Sequence, residues 1–200
     1  MLVRQRQEIQ EVPRRRAARL TPMRWPTALL CFLLAGYWGL AGYAWPKLPE
    51  RIPQHFDLAG HPDRWSERGL GSWFLLPLLA TALGLLFGWL LPRWISHLAE
   101  HSPHWINVPD RERFLALDAP ARRRALEPLL ALLCVLACEI TLLFAWIQYG
   151  SLRVATGDWA RLPSWIVLVA IAALVATALA VLPIARRALD REHAAAGAKR

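Results

Sequence analysis

Reactive chemistry is sparse in this sequence. It holds three cysteines, Cys31, Cys134 and Cys138. All three lie inside apolar stretches, none has zinc-ligand spacing, and no disulfide framework is expected. Neither a G-x-S-x-G elbow nor an H-E-x-x-H helix is present, so hydrolysis by a serine nucleophile or a zinc-bound water has no recognisable carrier. Acidic residues are outnumbered, 15 against 24 basic. The resulting net charge of +9 invites comparison with nucleic-acid-binding proteins, but those spread Lys and Arg over one face of a soluble fold. Here the basic residues sit between long apolar stretches, and no nucleic-acid partner is expected.

What the chain has in quantity is apolar length, at 56% hydrophobic residues with 11 Trp. A helix crossing a hydrocarbon core about 30 Å thick needs about 20 mostly apolar residues at about 1.5 Å each. Segments 26–45, 73–95, 128–149 and 164–184 meet that length, and none contains Lys or Arg except Arg93 near the end of the second. The expected fold is therefore an all-α integral membrane four-helix bundle with a structured outer loop between helices 1 and 2. Lys and Arg in the five flanking segments number 7, 4, 6, 2 and 5 in chain order, which places 18 on one side and 6 on the other. Basic residues are retained on the cytoplasmic side, so both termini and the middle loop are expected inside, in a bacterial plasma membrane. That divides the chain into a basic cytoplasmic segment 1–25, a spanning domain 26–184 and a basic cytoplasmic tail 185–200.

Basic residues followed by an apolar run and Gly42-Tyr43-Ala44 also describe a cleaved signal peptide. Signal peptides carry apolar runs of about 7–15 residues, whereas this one is long enough to span, so a retained anchor is expected. Trp25, Trp89 and Trp94 fall toward the inner interface and Trp45, Trp73, Trp146 and Trp165 toward the outer, the depth that rings with one polar edge prefer.

Helices associate in lipid by close packing over small residues. Ala80, Gly84 and Gly88 recur every four residues on the second span, while Ala28, Ala35, Gly39 and Gly42 share a face of the first. The two stripes are expected either to meet within a compact bundle or to mediate a homodimer. Pro77, Pro92 and Pro183 read as shaping the ends of spans.

Segment 46–72 contains Leu48-Pro49, Ile52-Pro53, His55, Gly60, Pro62-Asp63 and Trp65, the pattern L-P-x-x-I-P-x-H followed by G-x-P-D-x-W. This resembles the bacterial domain of unknown function 1648, also found at the N-terminus of SdpI-type immunity proteins. Asn107, Pro109 and Phe114 resemble the family's N-x-P segment with a downstream aromatic. The resemblance implies a membrane protein that works by binding, immunity or signalling through its outer loop, with a peptide or protein as partner. His55, Asp57, Gly60, His61, Asp63, Trp65, Asn107 and Glu139 are the candidate binding residues.

Prolines and a glycine restrict the loop, so His55, Asp57, His61 and Asp63 are candidates for a fixed arrangement. Imidazole and carboxylate suit a divalent transition metal. Spacing alone does not make a metal site, and a structured lid with its polar residues in water accounts for the same residues. No cofactor is indicated. His97, His101 and His104 follow the second span; His97 and His101 share a helical face, and interfacial polar residues are the expected reading. Residues 111–127, with Arg122, Arg123 and Arg124, suit a short helix lying on the inner leaflet, where each basic side chain near anionic headgroups contributes about 1 kcal/mol.

Glu139 is the only acidic residue inside a span. Its cost of about +3 kcal/mol is outweighed by the span's Leu, Ile, Val and Phe at about −0.5 kcal/mol each. Val135, Leu136, Leu142, Leu143 and Trp146 on its face are apolar, so its partner must come from another helix, with Tyr37 and Thr81 at comparable depth. An intramembrane carboxyl is a functional candidate by default. Three functions remain open: a non-enzymatic binding module acting through the outer loop, a small transporter centred on Glu139, and a membrane enzyme using His55 and Asp63.

Overall fold

The computed structural model describes residues 25–197, and the basic segment expected at 1–25 lies outside it except for Trp25. Helix α1 (Trp25–Ala44) runs through a 3-10 turn (Trp45–Lys47) into two strands, β1 (Arg51–Phe56) and β2 (Pro62–Glu67). Then follow α2 (Leu70–Leu85), a π-helical turn (Leu86–Leu90), α3 (Leu91–His101), a 3-10 turn (Pro103–Trp105), α4 (Arg111–Ala116), α5 (Ala119–Ala155) and α6 (Ser164–Gly197). Four stretches are long and apolar enough to cross a membrane: α1 with its 3-10 turn, α2 through α3, α5 and α6. The chain is a multi-pass membrane protein built on four long helices.

Helix α5 is the spine, packing against α1, α2, α3 and α6. Its start is set by Asp118, whose carboxylate accepts from the Ala121 N–H at 2.7 Å, with Pro120 in the first turn, where a missing N–H costs nothing. Its end is set by Gly157, at φ +80°, whose N–H returns to the Val154 carbonyl at 3.1 Å. Its 37 residues give a length of about 55 Å, far beyond the hydrocarbon thickness, so its first turns project from one end of the bundle.

That length changes the reading of Arg122–Arg124. They do not belong to a separate helix on the leaflet surface but to the protruding start of α5, and each meets a protein partner. Arg122 donates to the Ala99 carbonyl at 2.9 Å, Arg123 pairs with Glu100 at 2.9 Å and Arg124 with Glu192 at 2.9 Å. Residues 185–197 likewise continue α6 as helix. Ala185, Ala188 and Leu189 are buried there, Leu189 in a cluster with Ala99, Phe114, Leu117, Ala121, Ala125 and Leu126.

The small-residue stripes do not meet. Gly84 and Gly88 of the second span face Leu30 and Leu34 of α1, and a Cβ on Gly88 would overlap Leu30. Ala35, Gly39 and Gly42 are exposed instead, with open space over both glycines. Tyr37, Ala41 and Ala44 form the buried face of α1 beyond Leu30. Pro77, Pro92 and Pro183 also differ from simple end-shaping residues, Pro183 lying inside α6. Pro77 lies inside α2, and just before Pro92 the Leu91 N–H reaches back five residues to the Leu86 carbonyl. Pro92 has no N–H for Gly88, and the π-turn is the local accommodation.

Candidate functional site: the outer hairpin

β1 and β2 pair antiparallel, with Arg51 opposite Glu67, Ile52 opposite Ser66 and Pro53 opposite Trp65; the register shifts after Pro53 and again after His55. A proline cannot donate to the ladder, which is why irregularity falls at this point. The shift leaves Ile52 fully buried among Ala44, Leu48 and Trp73, while His55 and Asp63 face out.

Four hydrogen bonds brace this hairpin: one to a helix, one across its own base, one between α1 and α2 beneath it and one to the other outer loop. Ser151 of α5 donates to the Pro53 carbonyl at 2.7 Å, in a buried position. Arg68 donates to the Leu48 carbonyl at 2.8 Å, closing the hairpin's base. Trp73, at the start of α2, donates from Nε1 to the Ala41 carbonyl at 2.9 Å. At the tip, the Leu162 N–H donates to the Gly60 carbonyl at 2.8 Å. Gly60 has φ +86°, and a Cβ there would overlap the Leu162 carbonyl oxygen. Leu162 is held in turn by its own side chain, which sits where a side chain on Gly150 of α5 would have to go. The two outer loops are thus one docked unit at the same end of the bundle.

The turn itself is organised by Asp57. Its Oδ1 accepts from the His61 N–H at 2.8 Å, and its backbone exchanges bonds with His61 and Gly60 at 2.9 Å each. The His61 N–H, chiefly, holds the Asp57 carboxyl below its ordinary value. His61 Nδ1 stands 3.6 Å from the same carboxylate. On the neighbouring stretch, His55 Nδ1 and Asp63 Oδ1 are 2.6 Å apart, with the two side chains 58% and 48% exposed. The four candidate metal ligands therefore form two pairs, and among the described residues no three His, Cys, Asp or Glu side chains gather as a ligand set. His55–Asp63 has the form of an oriented base, yet Ser66 is bonded to the Glu67 carbonyl, and all three cysteines lie in the helices.

Residues 32–81 match the family model of the domain of unknown function DUF1648. The DUF1648 segment runs from within α1, through the hairpin, into α2, and so contains every outer-loop candidate. No curated protein and no solved structure matches the chain.

Asn107 lies outside the DUF1648 segment and at the opposite end of the bundle. It is exposed, between Ile106 and Val108, which pack on the cluster around Phe114. Glu139 lies between the two ends, on α5. Its partner comes from another helix, as its apolar face requires, but from neither Tyr37 nor Thr81: Thr177 of α6 donates to Oε1 at 2.8 Å, and Oε2 is buried with no partner among the described residues. Tyr37 donates instead to Gln148 Oε1 at 2.6 Å, and Thr81 accepts from Trp38 Nε1 at 2.9 Å.

Gln148 was not apparent from the sequence as a structural residue. It is 2% exposed, accepts from Tyr37 and donates to the Trp73 carbonyl at 3.1 Å, so one amide joins α1, α2 and α5 directly beneath the hairpin. The available signal was its place in the last turn of an apolar span, where an uncharged polar residue still needs partners.

Proposed function

We propose that this protein is a bacterial plasma-membrane protein with both termini in the cytoplasm and an outer hairpin that acts as a rigid recognition element for an extracytoplasmic peptide or protein segment. The observation that supports this reading is the contrast between the two sides of the hairpin. Its inner side is fixed by Ser151, Arg68, Ile52 and Gly60, while His55, Asp63 and the tip residue Leu58, 93% exposed, face water. A recognition surface held rigid before binding loses little entropy when it binds. Beside Trp65 lies an open hollow of about 660 Å³ whose other lining residues are Glu50, Arg51, Ser66, Glu67 and Arg68. An aromatic ring flanked by both signs of charge suits a polypeptide with mixed charges. Binding, immunity or signalling through this loop are the forms such recognition takes in the resemblance to SdpI-type proteins.

The test is photo-crosslinking in intact cells from a reactive side chain replacing Arg64. A discrete adduct is expected there, absent when the same group replaces Leu75 on a lipid-exposed position. His55→Ala with Asp63→Ala should abolish the adduct while leaving abundance and thermal stability unchanged. No adduct at Arg64, or a loss of abundance in the double variant as large as that of Gly84→Leu, overturns the reading.

A further inference from the structure

At the end of the bundle opposite the hairpin, α1, α3 and α5 leave a cleft of about 410 Å³. Its mouth carries Arg93, Ser96, His97, Glu100 and Arg123, and its floor is Gly88, Leu130 and Cys134. Gly88 sits within the π-turn, with Leu30 packed where its Cβ would be and the Cys134 sulfur 3.6 Å from that point.

The mouth is cationic. Arg123 pairs with Glu100 at 2.9 Å, which accounts for the single carboxylate. Arg93 has no ion pair among the described residues; its guanidinium lies 5.2 Å over the Trp89 ring, which holds it at the rim without neutralising it. The His97 ring is stacked on His101 at 4.2 Å between centroids, and Ser96 adds a hydroxyl. Trp25, Trp89 and Trp94, at 70%, 52% and 60% exposed, mark this level as headgroup depth, where indole rings settle.

We propose that this cleft binds an anionic phosphate group, with Arg93 and Arg123 as charge-assisted donors and Ser96 and His97 as further polar contacts. Guanidinium groups match phosphate oxygens in geometry and charge. The apolar floor at headgroup depth favours a phosphate carried on a phospholipid over a soluble one. The site lies elsewhere than the hairpin and does not depend on the function proposed for it.

The experiment uses the full-length protein in detergent, with short-chain phosphatidylglycerol, diacylglycerol of the same chains, and inorganic phosphate as probes, read by native mass spectrometry and by thermal unfolding. One phosphatidylglycerol per chain is expected, raising the unfolding temperature, with no comparable effect of diacylglycerol. Arg93→Gln should weaken binding about tenfold or more, the order expected for one charge-assisted hydrogen bond. Ser96→Phe, which fills the cleft without removing charge, should do the same. Arg187→Gln, at an exposed position on α6, should change nothing. If inorganic phosphate binds as tightly as the lipid and is equally sensitive to Arg93→Gln, the site stands with a soluble phosphate as its source. If lipid binding ignores Arg93→Gln and Ser96→Phe, or falls as much with Arg187→Gln, the lipid is only annular and the site is refuted.

Discussion

Replacing Gly60 by alanine tests whether the hairpin is docked or merely attached. Two costs arise at one residue. A non-glycine residue forced into the left-handed region loses about 1–2 kcal/mol, and Gly60 sits there at φ +86°. The added methyl also overlaps the Leu162 carbonyl oxygen, so the two loops must separate and give up the 2.8 Å bond from the Leu162 N–H. A net hydrogen bond contributes about 0.5–1.5 kcal/mol, for a combined effect of about 1.5–3.5 kcal/mol. Local opening of the hairpin should then rise roughly 10- to 300-fold, since about 1.4 kcal/mol is tenfold.

Gly157 supplies the internal control. It has φ +80° but open space where its Cβ would be, so Gly157→Ala incurs the backbone cost without the collision. Hydrogen exchange followed by mass spectrometry on full-length protein reads both. Peptides covering β1 and β2 should exchange much faster in Gly60→Ala, with α2 and the middle of α5 unchanged, while Gly157→Ala should leave hairpin exchange near wild type. Equal hairpin protection in Gly60→Ala and wild type would refute the docking argument. A uniform loss of protection across the bundle would show that the tip contact carries global stability instead.

For orientation, a reporter fused after Gly69 should be active only as an external enzyme and one fused after Ala119 only as a cytoplasmic one, from the 18 to 6 division of basic residues; reversed activities would invert the proposed topology. For the turn, the folded Asp57 carboxyl titrates below its ordinary value of 3.8, so its contribution is fully present above that pH and is lost as pH falls through the lowered value. The His61 amide should therefore gain exchange-competent openings in strong acid, and Asp57→Asn should remove that pH dependence. An unchanged acid response in Asp57→Asn would assign it to other groups.

The sequence makes the four long helices legible because bilayer thickness fixes how long an apolar run must be, and the same constraint marks 46–72 as a loop. That this loop is conformationally restricted is legible too, through Pro53, Gly60 and Pro62. What bilayer thickness does not fix is rotation about each helix axis. Ala35, Gly39 and Gly42 satisfy the same small-residue rule as Ala80, Gly84 and Gly88, and only three-dimensional packing decides that Leu30 and Leu34 fill the second stripe while the first is left outside. The Gly60–Leu162 bond joins residues about a hundred positions apart with no shared pattern between them. Arg122–Arg124 read as a surface cluster because local charge shows, whereas their partners Ala99, Glu100 and Glu192 lie on other elements.

Glu139 attracts attention in the sequence because it is charged, but the structure ranks Gln148 above it as a stabilising residue, and the ranking can be measured. Gln148→Leu leaves the Tyr37 hydroxyl and the Trp73 carbonyl without the amide that joins them. A buried polar group left unpaired costs about 1–3 kcal/mol. Glu139→Leu strands only the Thr177 hydroxyl, and a helical threonine can turn back to the carbonyl four residues earlier, here Ala173. It also removes Oε2, a buried oxygen with no partner among the described residues. The loss should stay near the average of about 0.6 kcal/mol for interhelical hydrogen bonds in membranes. Glu139→Gln keeps an acceptor for Thr177 and should match wild type in stability. Unfolding in detergent should therefore order the variants with Gln148→Leu clearly least stable, Glu139→Leu slightly below wild type and Glu139→Gln level with it. If Glu139→Leu proves as damaging as Gln148→Leu, the α5–α6 contact is a principal support of the bundle and the emphasis on the outer amide is wrong.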